Sequence, residues 1–518
     1  MNFYQTAFLF SLLIAITNLV QADESTEKPK TEKEPKKEIK EEVVTTSHSV
    51  NIDGLEVLYK ATVGTQIIKD DKGNSKASVF YIAYTNDNVE SKITRPVTFC
   101  FNGGPGSSSV WLHLGIFGPR RVNINDDGLS VDQPYHLVDN PSSLLDVTDL
   151  VFIDPVSTGF SRPAPGEDAK QFHGVDEDIQ SVAEFIRLYT TRNELWEVPK
   201  FIAGESYGTT RAAGLAQELH DKQHLYLDGI LLISTILNFQ TITFTSGNDL
   251  PYVLILPSYT AAALSHQKLS PELQKDFNKT LLAAEEFAKN EYALALMRGD
   301  TISPEDHLAI VNKIASYTGL TKTYVDQANL RVSILRFAQE LLRSEKRNIG
   351  RFDSRMKGIT SDVCSDSIEF DPSFDLIMGL FAATFNNYVR ADLNWKSDEE
   401  YKILANVWPW NYSTATNQYL NVADKLRDVM NKNPSLEVYI ASGFNDLATP
   451  YFATNYTITH LNLDPSLNSH ITSKNYEGGH MMYLKYATMI KMKADISSFF
   501  KQRLEKRQQQ FAIIGKKA

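Results

Sequence analysis

Residues 204–208 read Gly-Glu-Ser-Tyr-Gly, directly after the apolar run Lys200-Phe-Ile-Ala203. A serine flanked in this way marks a strand that turns sharply into a helix, with the serine at the apex. The turn lifts the Ser206 hydroxyl out of the sheet and onto the helix N-terminus. Glycines at 204 and 208 leave room for the crowded bend. The residues that follow, Gly208-Thr-Thr-Arg-Ala-Ala-Gly-Leu-Ala-Gln-Glu-Leu, are rich in good helix formers. A chain with this turn is committed to a sheet whose strands feed helices. An ordinary strand–helix connection has the same outline, so the chemistry has to be argued from other segments.

Three segments supply it. Phe101-Asn-Gly-Gly-Pro-Gly-Ser-Ser-Ser109 follows the apolar stretch Val97 to Phe101. Its glycines leave backbone N–H groups uncovered, so the N–H of Gly104 together with that of Tyr207 can form an oxyanion hole. Glu437-Val-Tyr-Ile-Ala-Ser-Gly-Phe-Asn-Asp-Leu-Ala-Thr-Pro450 reads as a strand ending in a loop with Asp446. Ser473-Lys-Asn-Tyr-Glu-Gly-Gly-His-Met-Met482 ends in a glycine-rich loop with His480. Taken singly, Asp446 or His480 is an ordinary loop residue. The chain order Ser206, Asp446, His480 is that of an α/β-hydrolase. In that chemistry His480 takes the proton of Ser206, and Asp446 fixes the imidazole tautomer.

These segments, with Gly118-Pro119, Asn140-Pro141, Ile153-Asp-Pro-Val and Thr158-Gly-Phe-Ser161, resemble the serine carboxypeptidases. The resemblance runs from about residue 100 to residue 480 in the family's order. It implies an α/β-hydrolase fold with a mostly parallel central sheet and a large, mainly helical cap insertion. It implies a serine-type carboxypeptidase that releases C-terminal amino acids through an acyl-enzyme, with peptide or protein C-termini as substrate and no cofactor. By the same resemblance, Asn102 and Glu205 hydrogen-bond the substrate's terminal carboxylate. A glutamate facing a carboxylate repels it unless one proton is shared, which turns repulsion into a strong hydrogen bond.

The chain departs from the family in three places. Ile116 stands where a second carboxylate-binding glutamate is usual, Cys100 where a tryptophan is usual, and Ser107 where a cysteine usually follows the glycine loop. The first two leave fewer polar groups for the carboxylate. They keep open a broader esterase or endopeptidase, and an acyltransferase on the same scaffold. A catalytically dead partner is disfavoured by the intact Ser206, Asp446 and His480.

Strands alternating with helices imply a mostly parallel sheet covered on both faces. Strands are expected at 78–84, 97–101, 149–154, 200–203 and 227–234, and an amphipathic helix at 175–188 with Ile179, Val182, Phe185 and Ile186 inward. The organisation read from the pattern is a leader over 1–22, a charged disordered linker over 23–46 and a first core segment over 47–235. A helical, polar cap over 236–420 and a second core segment over 421–518 complete it. One cap helix is expected at 323–342 and a closing helix at 485–504.

The net charge of −11 argues against nucleic acid as a partner, and no metal-ligand spacing stands out. The leader implies export, to a periplasm, the exterior, or a lysosome or vacuole, with no stable membrane insertion after its removal. Only Cys100 and Cys364 exist, which hints at a bacterial-type member. Asn278, Asn411 and Asn455 lie in glycosylation sequons.

Overall fold

Ten strands form the central sheet of the computed structural model, which describes residues 39–89 and 94–515: nine follow one another across it, and the two-residue strand Arg162–Pro163 pairs beside them with Ala77 and Ser78. The expected leader and residues 23–38 of the expected linker lie outside the described residues. Strand β1 (Val43–Ile52) already begins inside the segment read as linker, which corrects that boundary. The acidic–lysine alternation stops at Glu42, and Val43-Val-Thr-Thr46 is β-branched, a composition that favours a pleated strand. β1 pairs antiparallel with β2 (Leu55–Lys69) through a two-residue Asp53-Gly54 turn, both residues having positive φ. β2 pairs antiparallel with β3 (Ser75–Asn86).

The remaining strands are β4 (Val97–Phe101), β5 (Asp149–Ile153), β6 (Lys200–Glu205), β7 (Gly229–Ile233), β8 (Glu437–Gly443) and β9 (Ile471–Tyr476). The order across the sheet is β1-β2-β3-β5-β4-β6-β7-β8-β9. Every neighbouring pair from β5 to β9 is parallel. Strands β4, β6, β7 and β8 are buried along their whole length, as expected of strands covered on both faces.

Two apolar layers cover them. Phe101, Ile202, Leu232 and Ile440 face helices α1 (Val175–Arg192) and α2 (Tyr207–Gln223). The inward residues expected of α1 are all buried. Phe201, Leu231, Ile233 and Ala441 face the other layer, closed by the C-terminal helix (Tyr486–Gly515), which is longer than expected.

The insertion between β7 and β8 differs from its reading as a polar cap. Helix α3 (Leu250–Ser265) is buried on nearly every side and nucleates a separate apolar cluster with Phe287, Val311, Phe337 and Tyr451. Helix α4 (Pro372–Ala391) sends Ile377, Leu380, Phe381 and Phe385 into the main core. Part of the insertion is therefore core and not lid. The helix expected at 323–342 is two, Lys322–Gln327 and Ile334–Glu340. Asn329 and Leu330 between them take left-handed φ values of 49° and 64°, which an α-helix cannot accommodate. A short hairpin, Arg347–Ile349 against Lys357–Ile359, has a connecting segment that accepts from the loops after β8 and β9: the Leu447 N–H donates to the Arg351 carbonyl and the His480 N–H to the Phe352 carbonyl.

Candidate active site

At the end of β6 the backbone of Ser206 takes φ 60° and ψ −130°, a region glycine occupies and other residues avoid. Such a conformation costs about 1–3 kcal/mol and persists only where its surroundings enforce it. Here the Ser206 N–H donates to the Ile233 carbonyl at 3.0 Å. The Ser206 carbonyl accepts from the Thr209 N–H at 2.8 Å and from Thr209 Oγ1 at 2.7 Å. A Cβ at Gly204 would lie 2.2 Å from the Gly208 carbonyl oxygen, so the glycine there is a steric necessity.

Asp446 and His480 come from the loops after β8 and β9, at the same end of the sheet. His480 Nδ1 lies 2.8 Å from Asp446 Oδ2, with Asp446 fully buried and His480 nearly so. That bond puts the proton on Nδ1 and leaves Nε2 as the basic nitrogen. Asp446 also accepts from the N–H groups of Ala448 and Thr449, at 2.7 and 3.0 Å, and from Thr449 Oγ1 at 2.6 Å. Burial pushes its pKa up, but His480 and these donors outweigh burial and hold it below the ordinary carboxylate value. Burial alone would depress His480; the Asp446 charge and hydrogen bond, with Glu205 adding, raise it above the ordinary histidine value. The His480 backbone is clamped as well. Its N–H donates to the Phe352 carbonyl and its carbonyl accepts from Ser234 Oγ at 2.6 Å. The Phe352 ring sits edge-on to the imidazole, centroids 4.9 Å apart.

The glycine loop after β4 lies against the elbow. A Cβ at Gly103 would lie 2.4 Å from the Tyr207 nitrogen. Gly104 takes φ 103°, and neither its N–H nor that of Tyr207 donates a hydrogen bond among the described residues. Two free donors facing one cavity are the arrangement an oxyanion needs. The loop is tied down behind by Asp154, whose Oδ1 accepts from the Ser109 N–H at 2.8 Å. Burial pushes the Asp154 carboxyl up to about 7.

Asn102 and Glu205, at the ends of β4 and β6, are both buried beside Ser206. Asn102 Oδ1 accepts from the Leu112 N–H at 3.0 Å, which turns Nδ2 the other way; Nδ2 is buried and makes no well-aligned hydrogen bond, although it lies near enough to draw the Glu205 carboxyl down. A buried amide donor without a well-aligned partner is costly and is available to a ligand. Glu205 Oε2 accepts from the Tyr483 hydroxyl at 2.6 Å. Burial raises Glu205 to about 7, while His480, Tyr483 and Asn102 draw it down and Asp446 pushes it up. Beneath them Arg211, 1% exposed, donates to the Asn102 carbonyl and pairs with Asp178 at 2.7 Å. Burial raises the Asp178 carboxyl, and Arg211 opposes it.

Asn102, Gly104, Glu205, Ser206, Tyr207 and His480 all line one cavity of about 650 Å³, with Asp446 behind His480. Its remaining wall is mostly apolar: Trp111, Ile236, Phe239, Phe352, Phe374 and Leu404, with Arg351 and Asp371 at one side. Every residue expected from the sequence is at this site. Four others were not foreseen: Thr449, Tyr483, Ser234 and Phe352. Thr449 and Tyr483 sit three residues beyond Asp446 and His480, close enough to have been suspected. Ser234 and Phe352 reach the histidine only through the tertiary fold. Cys100 is buried in β4 and Cys364 is exposed, and neither is in a disulfide.

The family pattern described as Serine carboxypeptidase matches residues 70–494, so the chain belongs to the serine carboxypeptidase family. The pheromone-processing carboxypeptidase KEX1 of Saccharomyces cerevisiae is 35% identical over 117 residues, 22% of this chain but 15% of that protein. Serine carboxypeptidase-like 36 of Arabidopsis thaliana is 24% identical over 400 residues, 75% of this chain and 69% of its own. The crystal structure of the yeast KEX1 prohormone-processing carboxypeptidase superposes with a TM-score of 0.53 at 18% identity, covering 85% of this chain and 91% of the other. That likeness establishes the α/β-hydrolase fold. No helix among the described residues is long and apolar enough to cross a membrane.

Proposed function

Starting from membership of the serine carboxypeptidase family, we propose that this chain is an exported serine-type carboxypeptidase that removes single residues from peptide C-termini. The observation that carries the reading is the meeting of two devices on one cavity. One is the strained Ser206 with the buried His480–Asp446 pair. The other is a carboxylate receptor made of the unpartnered Asn102 Nδ2 and a Glu205 that ionises only near 7.

The peptide's last residue lies over Asn102 and Glu205, which brings its amide carbonyl to Ser206 Oγ. His480 Nε2 takes the hydroxyl proton as Oγ attacks, and the resulting imidazolium is stabilised by Asp446. The N–H groups of Gly104 and Tyr207 hold the oxyanion. His480 then gives its proton to the departing amine, and the free amino acid leaves. Water enters, gives a proton to His480 and attacks the acyl carbonyl; the acyl–Oγ bond then breaks, and Ser206 Oγ takes the proton back from His480. The apolar wall accepts the side chain on the acyl side of the bond, with no charge there to be left unpaired. Glu205 in its protonated form donates to the substrate carboxylate, and in its ionised form repels it.

Incubation with a fluorophosphonate followed by peptide mapping tests the nucleophile. A single adduct on Ser206 is expected, and Ser206→Ala should lose about 10⁶-fold in kcat. Labelling at another serine, or retained activity in the alanine variant, would remove the proposal's basis.

A further inference from the structure

Glu205 has two carboxyl oxygens, and the fold treats them differently. Oε2 is occupied by the Tyr483 hydroxyl at 2.6 Å. Tyr483 belongs to the turn Met482–Leu484 that follows His480, and its side chain is 1% exposed. Its ring lies over Gly115: a Cβ there would meet Tyr483 Cε2 at 2.5 Å. That methyl would meet the middle of an aromatic ring walled in by core, so Gly115 is required for the ring to be where it is. The hydroxyl has one proton to give, and the only side-chain bond it makes among the described residues is to Glu205. Burial first, then the charge of Glu205, push its pKa well above the ordinary tyrosine value, so it stays neutral wherever the enzyme works.

We propose that Tyr483 is a positioning residue for substrate binding: by donating to Oε2 it biases the ionisable proton of Glu205 toward the other oxygen, from which it would be donated to a substrate's terminal carboxylate. This rests on the carboxylate-receptor reading above. An oxygen that already accepts a strong hydrogen bond is the poorer site for a proton, so protonated Glu205 presents its donor mainly in one direction. The groups facing Glu205 are His480 and Tyr483 from the loop after β9, Asp446 from the loop after β8 and Asn102 from the loop after β4. Tyr483 and Asn102 are the neutral members of this set that draw Glu205 down, and of the two Tyr483 makes the short bond to Oε2. It therefore tunes where Glu205 ionises without adding a second titration. Tyr483 thus contributes no proton of its own to the loss of carboxylate binding at high pH.

The test is kcat/KM against pH for a blocked dipeptide with a free carboxylate and for a blocked amino-acid ethyl ester, which has none. Wild type should show an alkaline limb of single-proton slope on the free acid and none on the ester. In Tyr483→Phe, loss of a hydrogen bond to the ionised form should move that limb up by about one pH unit. KM for the free acid should rise severalfold, and the acid limb on the ester should stay in place. In the background of Glu205→Gln, the further change Tyr483→Phe should move no limb. Gly115→Ala, which displaces the ring by another route, should reproduce the limb shift if Tyr483→Phe does not fold. A wild-type profile without an alkaline limb on the free acid overturns both the receptor reading and this role. A wild-type limb that neither Tyr483→Phe nor Gly115→Ala moves, or an equal shift on the ester, overturns the role of Tyr483 alone.

Discussion

Burying an acid whose pKa is raised has a stability consequence that can be measured without any substrate. Glu205 is 3% exposed and ionises at about 7 in the folded chain, against 4.5 for the unperturbed group. Its folded pKa lies above its unfolded one, so between these values the folded state holds more protons than the unfolded state. Stability must then fall with rising pH across that window. Below 4.5 both states are protonated and nothing is lost; above about 7 the full cost applies. With about 1.4 kcal/mol for each pH unit, the cost is on the order of 3 kcal/mol. Glu205→Gln keeps the shape and an oxygen for the Tyr483 hydroxyl but cannot ionise. The variant should match wild type near pH 4.5 and exceed it by roughly 2–4 kcal/mol at pH 8. His480, whose folded pKa is raised, contributes stability present below its unfolded value and lost as pH rises through the folded one. Its larger cause, Asp446, is present in both proteins and cancels in their difference, while the smaller share owed to the Glu205 charge is lost with it. Urea unfolding of both proteins at half-unit steps from pH 4.5 to 8.5 measures the difference curve. A curve that is flat, or that rises toward acid, would refute the claim that a buried, reluctantly ionised Glu205 sits at the site.

Two further perturbations follow from the geometry. Asp446→Asn should lower kcat about 10⁴-fold with little change in KM, because an amide here stabilises the wrong imidazole tautomer; steady-state kinetics on an ester would show it, and near-normal turnover would mean another acid orients His480. Arg211→Met should destabilise by about 3–5 kcal/mol, because it leaves Asp178 charged, buried and unpaired; thermal unfolding beside the double variant Arg211→Met/Asp178→Leu, which should recover most of the loss, would test it.

The candidate site was legible in sequence because most of its parts are local necessities of the chain. The elbow needs glycines within two residues of Ser206, and the glycine loop proposed to hold an oxyanion needs bare N–H groups, so both leave short signatures. Strands β4 and β5 were bounded to within a residue because uninterrupted apolar runs end at polar or turn residues. The insertion resisted the same reading. Helix α3 is buried on nearly every side and has no period to detect, and α4 serves a core assembled largely from strands more than 100 residues earlier in the chain. The break at 328–333 lies in a sequence with helical composition throughout; the left-handed Asn329 and Leu330 are held by tertiary contacts such as the Tyr292 hydroxyl on the Leu330 carbonyl. Tyr483 illustrates the limit most clearly. Ile116 was read as a loss of polarity at the receptor, yet the hydroxyl that touches Glu205 comes from a segment more than 350 residues further along.

The most direct test of the whole account compares one blocked dipeptide with its own C-terminal amide at pH 5.5, using enzyme whose active sites have been counted by fluorophosphonate titration. The two substrates share the scissile bond and the acyl side chain, and differ only in the group that Asn102 and Glu205 are proposed to hold. A charge-assisted hydrogen bond contributes about 1.5–3 kcal/mol, so kcat/KM for the free acid should exceed that for the amide by about 10- to 100-fold, with one amino acid released per turnover. Equal rates on both, or cleavage inside a longer peptide in preference to its end, would contradict it.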